Sequence, residues 1–277
     1  MNKKFIYLLL TILAIMGSCK PSAHEMALAE IEKTKQFIAE KQDSIALDII
    51  DSIHIKYRTD VAVRRMADTL RWDIEYRHAL LTLPQVDSAL TDLQKQLPEL
   101  TKPFRFIKNE EYQSVGSFEH YKLRTENNTS RCYLKPSVDE HGKFTITSYY
   151  LGTKATHTVV RITIDSLSVE TRVAPSSNIS QFNDMGEYRE IIVFDKNLLN
   201  DIDKFIANNK DKRIKVSLLG EGQPYHYILT TTEREILAQS YELAIALADL
   251  TRLTDHQLRL SQKIELLKHR LQIIENQ

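Results

Sequence analysis

The side chains able to do chemistry are spread thinly along this chain. Its nine histidines are His24, His54, His78, His120, His141, His157, His226, His256 and His269. None falls in H-E-x-x-H or another close ligand pair, although His54 and His78 would approach each other if their helices packed. Exposed or singly hydrogen-bonded histidines are expected, with no metal and no other cofactor. Ser117, Glu119 and His120 lie together in "GSFEH", but members of a triad converge in space rather than in sequence. No G-x-S-x-G elbow is present. Asp139 and Glu140 in "VDEHGK" read as polar hairpin residues before a turn glycine rather than as an acid and base pair. Tyr112, Tyr121, Tyr133, Tyr149 and Tyr150 either pack across strands or line a carbohydrate or peptide groove. Strand alternation puts Tyr149 and Tyr150 on opposite faces, so at most one of them shares such a groove. No catalytic residue is assigned; an enzyme would need convergent polar groups, around His120 and His141, in one pocket.

The amino terminus carries the clearest signal. Lys3 and Lys4 precede an apolar run over residues 5–16, followed by Gly17, Ser18 and Cys19. As a helix the run is only about 18 Å long, short of a hydrocarbon core of about 30 Å. A basic start, a short apolar centre and small residues make a secretory signal peptide. The segment ending at Cys19 resembles the lipobox of bacterial lipoproteins, with Met16 where that motif prefers Leu. The resemblance implies cleavage after residue 18, lipidation of Cys19 and anchorage by several acyl chains, which together hold a protein stably on a membrane. Lys20, in place of the aspartate that retains many lipoproteins in the inner membrane, implies the outer membrane. The lack of an acidic cluster in "KPSAHE" implies its periplasmic face, with surface exposure left open. Cys19 and Cys132 are the two cysteines, so acylation of Cys19 excludes an intramolecular disulfide, and Cys132 reads as a small buried strand residue.

Composition narrows the rest. Lys and Arg total 37 against 37 Asp and Glu, and no basic, aromatic-rich patch appears, which argues against a nucleic-acid partner. Seven glycines in 277 residues form no phosphate-binding loop, and a hydrophobic content of 42% is that of a globular chain.

The elements follow from periodicity. Residues 19–58 read as a tether and a helical hairpin. Phe37, Ala46 and Ile50 make it resemble one tetratricopeptide unit, while Lys33, Thr34 and Arg58 depart from that pattern. Asp43 is the expected cap of its second helix. A longer helical region spans 59–100, through Val63, Met66, Leu70, Ile74, Leu81, Val86, Leu90, Leu93 and Leu97. Pro84 either kinks this helix or opens a new one. Residues 101–231 are rich in Val, Ile, Thr, Tyr and Phe in alternating runs, such as "KFTITSYYL" and "HTVVRITI", and predict antiparallel strands. One helix is expected near 197–209. Residues 232–277 form a long helix with a capping box at Thr232 and Glu235. Its seam, through Leu250, Leu253, Gln257, Leu260, Ile264, Leu267, Leu271 and Ile274, is that of a coiled coil, with one polar member. The two long helices are expected to pair antiparallel as a stalk with the β domain inserted between them. The fold class is therefore α+β.

An Asp-Ser/Thr-aliphatic pattern recurs at Ser44, Ser52, Thr69, Ser88 and Ser166. It resembles the O-glycosylation signal of some Gram-negative anaerobes and implies modification there; the same dipeptides also cap helices. Taken whole, the arrangement resembles uncharacterised bacterial envelope lipoproteins with tetratricopeptide-like helices, a β domain and a carboxyl-terminal coiled coil. The resemblance implies a membrane-tethered structural or interaction protein with a protein or cell-wall partner, or else a glycan- or peptide-binding lipoprotein using an aromatic cleft.

Overall fold

The computed structural model describes residues 21–184 and 186–275. The segment 1–18, expected to be a signal peptide, and Cys19, the expected lipidation residue, lie outside the described residues. The fold is α+β: a helical hairpin, two long helices and antiparallel sheets between them in sequence. It divides into two compact units, one ending at Pro84 and resuming at Leu258, the other Gln85–Gln257.

In the first unit, helices α1 (Ala23–Ala39) and α2 (Asp43–Lys56) form the hairpin and pack on the start of α3 (Val61–Thr101). Ser22 and Glu25 close a capping box at α1. Ala27, Ile31, Ala46, Ile50, Ile53, Val63, Ala67 and Ile74 fill the core. Thr34, at a position where the tetratricopeptide pattern has a small residue, is fully buried and satisfies its hydroxyl on the Glu30 carbonyl at 2.8 Å. Asp43 does not cap α2. It is the first helical residue, and its carboxylate binds Arg77 at 3.3 Å and His78 at 2.7 Å on α3 instead. His54 pairs with Asp68 at 3.0 Å, so the two histidines meet carboxylates rather than each other.

Helix α3 runs without interruption through Pro84, and α6 (Thr231–Glu275) is likewise continuous. Their antiparallel course is fixed in each unit by cross-helix contacts. In the first, Arg270 lies 5.1 Å from the Trp72 ring centroid and Lys263 meets Glu75 at 2.9 Å. In the second, the polar seam residue Gln257 donates to Asp87 at 2.7 Å. Ile264 and Leu267 are buried as the seam predicts. Met66 and Leu81 are not: both face solvent, because the buried stripe of α3 follows Val63, Ala67 and Ile74 and leaves them on its flank. The α6 capping box sits two residues before the expected one, with Thr230 and Glu233 exchanging bonds of 2.8 and 3.2 Å.

In the second unit, β1 (Phe104–Ile107), β2 (Ser117–His120), β3 (Tyr133–Asp139), β4 (Phe144–Gly152), β7 (Ile179–Asp184) and β8 (Glu187–Phe194) form a six-stranded sheet, ordered β1-β2-β3-β4-β8-β7. Strands β5 (His157–Ile164), β6 (Leu167–Glu170), β9 (Lys215–Gly220) and β10 (Tyr225–Ile228) form a four-stranded sheet, ordered β10-β9-β5-β6. Every pairing is antiparallel. Along β4, Phe144, Ile146, Ser148 and Tyr150 are buried while the residues between them are not, the half-buried alternation that a one-sided strand requires. They share one core with Val160, Ile162, Val216 and Leu218 of the second sheet and with Leu237, Leu243 and Leu247 of α6. The single helix expected near 197–209 is two short ones, α4 (Lys196–Leu199) and α5 (Ile202–Ala207). Asn200 and Asp201 break it by adopting left-handed conformations, φ 49° and 65°, which short polar side chains tolerate best after glycine.

Candidate functional site

The β unit holds a polar cluster inside its apolar core. Ser148 on β4 and Glu190 on β8 both point inward, since their strand neighbours Ile146, Tyr150 and Ile192 are buried on the same face. His157 opens β5 in the other sheet. Its Nε2 lies 3.1 Å from Ser148 Oγ and its Nδ1 2.5 Å from Glu190 Oε2. The Glu190 carboxylate also accepts the backbone N–H groups of Thr156 at 2.5 Å and His157 at 3.0 Å. Burial pushes the Glu190 carboxyl up, but the bonds from the His157 ring and the two amides outweigh it and hold the group below the ordinary range.

This chain of contacts has the connectivity of a nucleophile, a base and an orienting carboxylate. Its burial decides against that use. Ser148, His157 and Glu190 are 0, 1 and 0% exposed, so no acyl group reaches the hydroxyl in this conformation. What the cluster does is join the sheets: one carboxylate of the six-stranded sheet ties down the first residues of β5. Thr156, just before the strand, has φ 47°, and the pairing shifts register between His157 and Val159. An open cavity of about 660 Å³ adjoins this turn, lined by Val159, Val173, Ile179, Gln181 and Leu219 among others.

The residues singled out from sequence are dispersed. Ser117, Glu119 and His120 make no bond to one another. Glu119 pairs with Lys135 at 2.7 Å, and His120 accepts the Lys122 N–H at 3.1 Å. Burial, with a smaller contribution from Lys122, lowers the His120 imidazole to about 4. His141 is exposed in the β3–β4 turn. Asp139 accepts the His141 and Lys143 amides at 2.9 and 2.7 Å and so serves the turn, while Glu140 reaches away from it to the Gly116 amide at 3.3 Å and Lys108 at 3.6 Å. Cys132 exchanges bonds of 3.3 and 3.4 Å with the Leu151 backbone, continuing the β3–β4 ladder; it is half-buried rather than buried.

The tyrosines divide as alternation requires. Tyr150 faces the core, edge-on to Tyr225 at 5.2 Å, and Tyr149 stacks flat on Tyr133 at 4.6 Å on the opposite face. Leu123 and Ile236 cover Tyr133, which is 1% exposed, while Tyr112 and Tyr121 are exposed elsewhere. A cleft of about 210 Å³ lies beside the stack, lined by Tyr149, Phe182, Arg131, Arg189 and Asp184. Its guanidiniums are engaged: Arg131 with Glu233 at 2.6 Å, Arg189 with Asp184 at 3.1 Å.

Of the Asp-Ser/Thr positions, Ser44 and Ser88 are exposed on helices and Ser52 is half-buried on α2. Thr69 spends its hydroxyl on the Arg65 carbonyl at 2.9 Å. Ser166 is exposed in the two-residue turn between β5 and β6, after Asp165 at φ 53°. Among the described residues no group of three or more His, Cys, Asp or Glu side chains is placed to hold a metal ion, and no helix is long and apolar enough to cross a membrane. No family model matches the chain, and neither a curated protein nor a solved structure matches it.

Proposed function

We propose that this chain is a lipid-anchored bacterial envelope protein of structural or protein-interaction type, which holds its β unit near a membrane for a protein or cell-wall partner. The observation that carries the reading is the Lys3-to-Cys19 segment, a signal too short to span a bilayer that ends in an acylatable thiol. The spacing is compatible with the reading: the α1 capping box lies at Ser22, three residues after Cys19 in the sequence. The composition of residues 20–25 supports the outer membrane and its periplasmic side. The family reading, an envelope lipoprotein with tetratricopeptide-like helices, rests on the same order of elements.

Fractionation of cells producing the native chain and Cys19→Ala tests the anchor. The native protein is expected in detergent-soluble membranes and the variant in the soluble periplasm; equal distribution of the two overturns the reading. Crosslinking in intact cells, followed by mass spectrometry of the captured neighbours, then identifies the partner class.

One observation favours a second reading, glycan or peptide binding. Tyr149 and Phe182 flank a cleft of about 210 Å³ on the outer face of the six-stranded sheet, and aromatic walls with a few polar groups suit such ligands. Burial of Tyr133 and Tyr150 confines that reading to Tyr149 and Phe182. Chemical-shift changes confined to these two rings on addition of cell-wall fragments would support it, and their lack would remove it.

A further inference from the structure

One end of the first unit gathers apolar side chains and unpaired cations. His24, in the first turn of α1, bonds Asp60 at 2.6 Å, and Asp60 caps α3 by accepting the Val63 N–H at 3.1 Å. The starts of α1 and α3 are therefore adjacent. The end of α6 arrives beside them, because Arg270 lies over Trp72 and Ile273 shares a groove with Met66. That groove holds about 450 Å³ between α3 and α6, and its walls are Arg65, Met66, Trp72, Arg270 and Ile273 with Asp68 and Thr69. Met66 and Ile273 are exposed, as are Val61 at the start of α3 and Ile55, 77% exposed, near the end of α2. Asp60 pairs with His24, Asp68 with His54, Glu30 with Lys56 and Asp51 with Arg71, while Glu25 is held by the Ser22 cap. Arg58, Arg65 and Arg270 have no carboxylate partner among the described residues, three guanidiniums against the single cation-free carboxylate of Glu25.

We propose that this face of the first unit, centred on the Trp72–Arg270 groove, lies on the membrane and binds anionic phospholipid. Two arguments select a lipid surface as the occupant. The first is reach, and it rests on the anchor reading above: Cys19 is three residues from Ser22, so the acylated residue stands within about 11 Å of the α1 start. The second is chemistry. A tryptophan flanked by arginines and exposed aliphatic side chains is the composition that settles at a headgroup boundary, and arginines without acid partners complement anionic lipid. Trp72 is about 16 Å along α3 from Val61. Contact at Trp72 therefore requires the unit to lie obliquely on its groove; an end-on stance would leave the ring in water.

Trp72 is the single tryptophan of the chain, so its fluorescence reports the groove alone. The mature acylated protein is reconstituted into vesicles of phosphatidylethanolamine and phosphatidylglycerol, with and without brominated acyl chains. Strong quenching of Trp72 by the brominated lipid is expected, and an emission unchanged from that in detergent-free buffer overturns the proposal. Intact mass of the same sample shows whether Cys19 carries lipid, so an acylated but unquenched protein sinks the docking and leaves the anchor standing. The full mature chain with Cys19→Ala is tested in parallel by flotation with the same vesicles. Replacing both arginines, Arg65→Gln with Arg270→Gln, is expected to weaken its vesicle affinity roughly thirtyfold, from the attraction of one arginine for an anionic surface taken twice. Equal affinity of native and variant chains, or equal binding to phosphatidylcholine, overturns it. Unchanged far-ultraviolet dichroism shows that the variant is folded.

Discussion

The buried cluster of Ser148, His157 and Glu190 makes a sharp prediction, because a catalytic and an architectural role differ in what they cost when removed. Glu190→Ala deletes the acceptor of the Thr156 amide, the His157 amide and the His157 ring at once. Each buried donor left unpaired costs about 1–3 kcal/mol, and breaking a buried pair from one side costs about 3–5 kcal/mol in total. For a unit of this size about 4 kcal/mol corresponds to a fall in Tm of roughly 8–16 °C. Ser148→Ala removes only one contact of His157 and should cost about 1–2 kcal/mol. The pH dependence has a definite sign. The Glu190 carboxyl sits below its unfolded value of 4.5, so its contribution is fully present above that value and is lost as pH falls through the lower folded one. Urea titrations of the native chain and Glu190→Gln, monitored by dichroism from pH 7 to pH 3, should show a stability gap that narrows only below pH 4.5. A cost under about 1 kcal/mol for Glu190→Ala, or a gap independent of pH, would refute the architectural reading.

Other consequences follow from single contacts. Gly142→Ala should strongly destabilise the second unit in calorimetry. It has φ 83°, and a Cβ there would stand 2.3 Å from the Ala248 nitrogen and 2.4 Å from the Ala244 carbonyl oxygen, both backbone atoms of α6. Thr230→Ala removes the acceptor for the Glu233 amide and should cost about 1–2 kcal/mol in denaturant titration. His120 should remain neutral by NMR titration down to pH 5. Its imidazole is lowered to about 4 by burial, so stability should decline as pH falls from 6.5 through that value, where the unfolded chain binds the proton first. Cysteines replacing Glu75 and Lys263 should crosslink within one chain on oxidation, and purely intermolecular products would contradict the antiparallel pairing.

Helix periodicity and strand alternation made the architecture legible before any coordinates. The α6 seam is buried at Ile264 and Leu267, and Gln257 finds a polar partner across it. Details that depend on tertiary context were not legible. Local spacing favours a capping box at Thr232, which also has an acidic residue three positions on. Packing chose Thr230 and Glu233, whose carboxylate is additionally held by Arg131. Asp43 has the position of a cap in the sequence, yet Arg77 and His78 on another helix claim its oxygens. The strands β2 and β7 leave little local signal, because "SFEH" and "ISQFND" are short and mostly polar, and both lie toward the margins of the six-stranded sheet. The Ser148, His157 and Glu190 cluster was missed for a deeper reason. Each residue left one signal, a polar side chain at an inward register position, but the contact joins three strands in two sheets, and strand order is not written in local spacing.

The proposed lipid anchor is tested most directly by the mass of the mature amino-terminal peptide. The protein isolated from the cells that make it should begin at Cys19 and carry the mass of a diacylglyceryl group with an added acyl chain. An unmodified Cys19, or an amino terminus at any other residue, would contradict it.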